Sequence, residues 1–250
     1  MPGAKVCNTE YAGCIKFGSY YALMDSHLDV ELDALKARLL VMANHAAMAV
    51  SRALEALLRR DEILASQVKE GDWIIDRFEI EIGNMGLRQL TKAPLGADLR
   101  LVTVATRIAH NLERIGDEAA KIARRAADLC REAPVEVELD IKSMAGLVLD
   151  MLRSSRDSFR HGDSGAARAI LPRDKEVDLF NMQIHNILSQ YMLEHPKTIK
   201  RCLHWMVVSK SLERIADHAT NIAEDVVYLY SAQDIRYTGA RFGKMPLLAG

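Results

Sequence analysis

Apolar residues recur along the chain with a period of about 3.5 residues, which is typical of long helices packed side by side. The first row comprises Leu28, Leu32, Leu35, Leu39, Met42, Ala46, Ala49, Ala53 and Ala56. A second row comprises Leu101, Ala105, Ile108, Leu112, Ile115, Ala119, Ile122, Ala126 and Leu129. A third comprises Trp205, Val208, Leu212, Ile215, Ala219, Ile222, Val226 and Leu229. The third row repeats the register of the second at an offset of 100 residues, which indicates an internal duplication.

The duplication is visible in the residues themselves. Residues 110–123 read HNLERIGDEAAKIA and residues 210–223 read KSLERIADHATNIA, with eight of the fourteen positions identical. An upstream pair of segments, DWIIDRFEIEIGNM at 72–85 and DKEVDLFNMQIHNI at 174–187, recurs at an offset of 102. The chain therefore holds two copies of one helical unit, and the short connections predict antiparallel neighbours.

The predicted fold is all-α, with two tandem, pseudo-symmetric three-helix bundles. Six long helices are expected at roughly 26–60, 62–91, 97–131, 137–161, 163–193 and 197–231. The predicted organisation is a disordered N-terminal extension over 1–24, a first repeat over 25–133, a second repeat over 134–232 and a C-terminal tail over 233–250. Gly71 and Pro172 stand just upstream of equivalent segments, so we expect a kink or break in the middle helix of each repeat.

Composition and charge exclude several classes of protein. With 33 Lys and Arg against 34 Asp and Glu, the net charge of −1 argues against a general nucleic-acid binder. No apolar run exceeds five residues, whereas a membrane span needs roughly 20. Four cysteines without a CxxC pair favour a reducing cytosol, and the first residues lack the apolar segment of a signal peptide. We therefore expect a cytoplasmic protein.

Acidic residues spaced i, i+4 form the candidate chemistry. The four pairs are Asp72/Asp76, Glu113/Asp117, Asp174/Asp178 and Glu213/Asp217. Like charges at this spacing destabilise a helix, so four pairs at matching places in two repeats call for a reason. One reason is metal binding, because carboxylates suit Mg²⁺, Mn²⁺, Ca²⁺ or iron. The other is a solvated charged face, on which Lys121 neutralises Asp117.

The direction of these side chains follows from helical geometry. Measured from the row at Leu112 and Ile115, Glu113 lies about 130° and Asp117 about 170° around the axis, at about 100° per residue. The same count places Asp72 and Asp76 on the flank or outer face of their helix. The pairs are therefore predicted to face outward, and buried catalytic carboxylates are not indicated.

The segments LERIGD at 112–117 and LERIAD at 212–217, in two tandem three-helix units, resemble the PhoU family of phosphate transport regulatory proteins. LKARL at 35–39, ADLR at 97–100 and DIRY at 234–237 extend this resemblance over about 25–240. Ala216 replaces the usual Gly in the second motif. The resemblance implies a cytosolic regulator rather than an enzyme.

In this family, the protein is expected to contact a phosphate ABC transporter ATPase subunit and a membrane sensor histidine kinase, to restrain the phosphate-starvation response, and to form a homodimer. E/DxxxD motifs in such proteins bind iron, zinc, manganese or magnesium. Carried over by position, the metal ligands are Asp72, Asp76, Glu113, Asp117, Asp174, Asp178, Glu213 and Asp217. Lys121 and Arg124 stand where the second copy has Asn221 and Glu224, so we expect the second site to bind metal more tightly.

Two other functions are compatible with a helical bundle that carries acidic residues. A carboxylate-bridged di-metal enzyme typically uses Glu-x-x-His, and none of the sixteen glutamates has a His at the third following position. A histidine phosphotransfer module needs an outward histidine with Lys three residues later; His110 faces outward, but no histidine here has that lysine. His218, beside Asp217, stays open as an additional metal ligand.

Overall fold

The structure is a computed structural model that describes residues 14–92 and 96–236, and in these ranges it contains helices and no strand. The α-helices are α1 Cys14–Arg59, α2 Glu62–Glu70, α3 Trp73–Leu90, α4 Gly96–Cys130, α5 Ile141–His161, α6 Ser164–Arg168, α7 Asp174–Glu194 and α8 Ile199–Ser231. Two 3₁₀ turns cover Leu171–Arg173 and Pro196–Thr198. The predicted all-α fold of six long helices is confirmed, with the middle helix of each repeat divided.

The divisions lie where the sequence placed them. Gly71 ends α2, with its N–H donating back to the carbonyls of Gln67 and Val68. Pro172 lies within the 3₁₀ turn between α6 and α7. The prediction of a break is therefore confirmed in both repeats, and each acidic pair of a middle helix begins immediately after its break.

Helices α4 and α8 lie side by side at the centre of the molecule. Helix α4 also contacts α1, α2 and α3, while α8 also contacts α5, α6 and α7. Arg214 contacts Glu118 at 3.3 Å, and the Arg125 side chain approaches His204 Nδ1 at 3.1 Å. Residue numbers rise on α4 as they fall on α8, so the two helices are antiparallel. One continuous hydrophobic core extends through both repeats.

The ends of the helices differ from prediction at two places. Helix α1 begins at Cys14, earlier than the expected start near 26, and residues 1–13 lie outside the described part. Helix α5 begins at Ile141 rather than 137, because the Asp140 carboxylate accepts the Ser143 N–H and caps it. The tail beyond 236 also lies outside the described residues, so the predicted extension and tail are not tested there. No helix in the described ranges is long and apolar enough to cross a membrane.

Arg60 joins the first and third helices of the first repeat. Its backbone has a left-handed φ of 55° directly after α1. Its guanidinium donates to the carbonyls of Leu129 at 2.6 Å and Cys130 at 3.3 Å, and also to that of Glu132. The carbonyls of Leu129 and Cys130 lie at the end of α4, where they have no partner within the helix and where a cation is favourable.

Candidate metal site

Six polar side chains of α3 and α4 form one cluster in the first repeat. Helix α3 contributes residues at i, i+4 and i+7, and α4 contributes residues at i, i+3 and i+7, so each set shares one face of its helix. The first acidic cluster, as we call it, comprises Asp72, Asp76, Glu79, His110, Glu113 and Asp117.

A glycine on α4 allows the close approach of the two helices. A Cβ atom placed on Gly116 would lie 2.8 Å from Ile75 Cδ1 and 3.3 Å from Asp72 Oδ1. Real Cβ atoms essentially never come within 3.0 Å of a neighbour, so a side chain here would displace Ile75. The Gly of LERIGD thus permits the start of α3 to lie directly against α4.

Electrostatics set the first acidic cluster apart from an ordinary surface. Burial raises the pKa of Asp72, and the nearby charges of Asp76 and Asp117 raise it further. The pKa of Asp76 is raised by burial, Asp117 and Glu79. The pKa of Glu113 is raised by burial and Asp117, against the opposing effect of Arg114. These carboxylates repel one another without full neutralisation, so the donor set fits a metal cation.

The cation beside Glu113 and Asp117 is Arg114, not the predicted Lys121. Arg114 Nη2 donates to Glu113 Oε1 at 2.8 Å, and its Nη1 lies 3.0 Å from Asp117 Oδ2. Lys121 pairs with Glu118 at 2.8 Å. The prediction that Lys121 neutralises Asp117 is wrong. Arg114, about one turn before Asp117 on the same helix, contacts both acids of the motif, and Lys121 pairs with Glu118 instead.

The predicted outward direction is also wrong for Glu113, whose exposed fraction is 8%. The predicted angle refers to one apolar row, whereas α4 is covered by other helices on several sides. A second buried row, made of small residues, comprises Ala109, Gly116, Ala120 and Ala123. Glu113 borders this second row. Asp76 is exposed as predicted, whereas Asp72 and Asp117 are partly buried.

The second repeat places its four predicted ligands between α7 and α8 with different partners. Asp178 is exposed, while the other three, Asp174, Glu213 and Asp217, are partly buried. Thr220 Oγ1 donates to Asp174 Oδ1 at 3.5 Å, and Lys210 forms an ion pair with Glu213. The residues equivalent to Glu79 and His110 are Asn181 and Lys210.

The reasoning behind a tighter second site does not hold for every residue. Asn221 donates to Asn111 at 3.4 Å, so it faces the junction of α4 and α8 rather than the acids. Lys121 is engaged by Glu118. Arg124 acts as expected, since its charge lowers the pKa of Asp72. The relative affinity of the two sites stays a prediction.

Glu79 and His110 were not predicted as site residues. His110 Nδ1 lies 3.1 Å from Glu79 Oε1, across 31 residues of sequence. Extending each acidic pair by one helical turn along its own face would have found them. His218 was the additional candidate ligand; its Nδ1 lies 3.0 Å from Asn111 Oδ1 on α4, at the junction between the repeats.

Both repeats match a known family model, described as the PhoU domain, over residues 39–126 and 141–226. The chain belongs to the PhoU family. Phosphate-specific transport system accessory protein PhoU homologs of Pseudomonas putida and Pseudomonas aeruginosa are each 36% identical to it. The alignments cover 87% and 86% of this chain, and 86% and 90% of the respective relatives.

Solved PhoU structures share the fold. The crystal structure of PhoU from Pseudomonas aeruginosa has a TM-score of 0.80 at 36% identity, covering 82% of this chain and 99% of that one. The crystal structure of the phosphate transport system regulatory protein PhoU from Streptococcus pneumoniae has a TM-score of 0.78 at 26% identity, covering 83% and 99%. The resemblance stated from the LERIGD and LERIAD motifs is confirmed.

Proposed function

We propose that this chain is a cytoplasmic, non-enzymatic regulator of phosphate uptake. In this role it is an adaptor between the ATPase subunit of a phosphate ABC transporter and a membrane sensor histidine kinase, and it restrains the phosphate-starvation response when phosphate is plentiful. One observation carries the proposal: over most of its length the chain matches proteins named as accessory or regulatory components of phosphate transport.

An exposed apolar groove between α3 and α4 supports the adaptor role. Ile80 and Leu87 on α3 are 66% and 63% exposed, and Leu90 continues the same side of the helix. Val102 on α4 forms part of the opposite wall. Contiguous apolar surface of this kind marks interaction sites with other proteins. The homodimer implied by the family resemblance is part of the same proposal, and analytical ultracentrifugation tests it.

Metal binding by the E/DxxxD motifs completes the proposal. The first acidic cluster supports it most directly, because burial and mutual repulsion raise the pKa of three of its carboxylates. A bound divalent cation removes that repulsion. Iron, zinc, manganese and magnesium are all compatible with carboxylate ligands.

Partner capture in phosphate-replete cells tests the adaptor role. A tagged full-length chain is expected to recover the transporter ATPase or the sensor kinase, and its deletion is expected to raise a phosphate-starvation reporter. Ile80→Asp should weaken capture, whereas Val30→Asp, on an equally exposed position of α1, is the matched control. An unchanged reporter with neither partner recovered contradicts the proposal, as does a purified protein with hydrolytic or redox activity.

A further inference from the structure

Three side chains at one end of the first acidic cluster converge on a single point. Glu79, His110 and Glu113 each offer a ligand atom, and the three atoms all lie within 4.8 Å of one another. Glu113 lies on the interior side of the site, since it is more than nine-tenths buried. Glu79 and His110 are more exposed, so the site is open to solvent on that side.

The buried member of this group has an unsatisfied oxygen. Glu113 Oε2 is inaccessible to water and accepts no hydrogen bond, although Arg114 Nε lies 2.5 Å away outside hydrogen-bond geometry. A buried carboxylate oxygen that has a charged neighbour but no hydrogen bond is costly. Because the Arg114 side chain is nearly half exposed, it can move into solvent when another cation replaces it.

The second repeat shows what occupies the same position there. Lys210 stands where the first repeat has His110, and its ammonium pairs with Glu213 Oε2, which, like Glu113 Oε2, is buried and accepts no hydrogen bond. Asn181 replaces Glu79, and its Oδ1 accepts a hydrogen bond from Ser209 at 2.7 Å. At this position the second repeat therefore has the Lys210 ammonium, whereas the first repeat has the His110 imidazole nitrogen and the additional Glu79 carboxylate.

We infer that the first repeat binds a transition-metal ion on Glu79, His110 and Glu113, and that the second repeat lacks this mixed nitrogen and oxygen site. The inference rests on the metal binding proposed above and deepens it. Imidazole favours zinc, iron and other first-row transition metals, whereas Mg²⁺ prefers oxygen ligands and water. The first site is then the tighter one for such metals, opposite to the order expected from the sequence.

The geometry requires only local adjustment of side chains. Ligand atoms around a zinc ion are about 3–3.5 Å apart, given metal–ligand bonds of about 2.0–2.2 Å. The separations between the three ligand atoms reach that range when the Glu79 and His110 side chains, which lie outside the core, rotate. The backbones of α3 and α4 are already in position, because Gly116 lets the helices approach.

Titration of the full chain with Zn²⁺ and, separately, with Mg²⁺ against a fluorescent chelator tests the inference. His110→Gln and Glu79→Gln are each expected to weaken Zn²⁺ binding by about tenfold or more and to change Mg²⁺ binding by less than about threefold. His195→Gln, the same substitution at an exposed histidine away from both acidic clusters, is the matched control and should leave Zn²⁺ affinity unchanged. With Co²⁺ as the probe, the visible absorption of the bound ion should change in His110→Gln.

The double variant Asn181→Glu with Lys210→His transfers the site to the second repeat. It is expected to add about one tightly bound Zn²⁺ per chain. Zn²⁺ affinity unaffected by His110→Gln, or lowered equally by His195→Gln, overturns the inference while leaving metal binding by the aspartate pairs intact. A wild-type chain without Zn²⁺ binding overturns both metal assignments. Partner capture and the starvation reporter, measured on His110→Gln, decide the adaptor role separately.

Discussion

A buried carboxylate at the junction between the repeats allows a quantitative prediction. Asp225 on α8 is 1% exposed and forms an ion pair with Arg107 on α4. Neither of its oxygens accepts a hydrogen bond of normal geometry. Burial raises its pKa from 3.8 to about 6, although Arg107 and Arg236 oppose the shift. Desolvation of the charged carboxylate therefore outweighs the attraction of the ion pair.

The size of the effect follows from the pKa shift. A rise of about 2 units, at about 1.4 kcal/mol per unit, means that the charged Asp225 destabilises the fold by about 3 kcal/mol above pH 6. Because the folded-state pKa is the higher one, stability is fully present below pH 4 and is lost as pH rises from 4 to 6. Asp225→Asn, a neutral isostere, is expected to raise the unfolding free energy at pH 7.5 by up to this amount.

Urea denaturation followed by circular dichroism measures the change. The advantage of Asp225→Asn over the wild type should shrink steadily between pH 6 and pH 4, because the wild-type carboxyl becomes protonated in the folded state over this range while the unfolded state is still mostly ionised. In thermal melts the gain corresponds to about 2–4 °C per kcal/mol. Asp150→Asn, on an exposed aspartate, is the control and should change stability by less than about 0.5 kcal/mol.

A loss of stability in Asp225→Asn would contradict this prediction. If Asp225→Asn lowers stability by more than about 1 kcal/mol at pH 7.5, the ion pair with Arg107 stabilises the junction more than burial destabilises it. Arg107→Ala gives an independent check, because it removes the cation and leaves the buried charge. It should destabilise more at pH 7.5 than at pH 5, where Asp225 is already protonated.

Three further predictions concern the core, a helix end and the metal site. Leu35→Ala, at a fully buried position of α1, should cost about 2–5 kcal/mol of unfolding free energy in urea. Arg60→Ala removes the donor to the last carbonyls of α4 and should cost about 1–2 kcal/mol in the same assay; a change below about 0.3 kcal/mol would argue against that role. Arg114→Gln removes the cation that competes at Glu113, so it should tighten Zn²⁺ binding in the chelator titration; weaker binding would mean that Arg114 orders the ligands instead.

The order of elements was predictable because it depends on local patterns. Apolar rows at a 3.5-residue period specify helices wherever Gly and Pro are sparse. Gly71 and Pro172 divide the middle helices at the predicted places, since each weakens a helix through its own backbone chemistry. The duplication of LERIGD and LERIAD indicated that the same bundle occurs twice. These inferences need no knowledge of which helix contacts which.

The candidate site depended on tertiary contacts that no local pattern contains. The antiparallel register of α3 and α4 brings Glu79 to His110, across 31 residues of sequence. Packing of α4 against four helices buries Glu113, which a single apolar row placed outside. Sequence periodicity assigns a side chain to a face of its helix. Whether that face meets water or another helix is decided by the neighbours, because burial depends on all the surfaces around a residue.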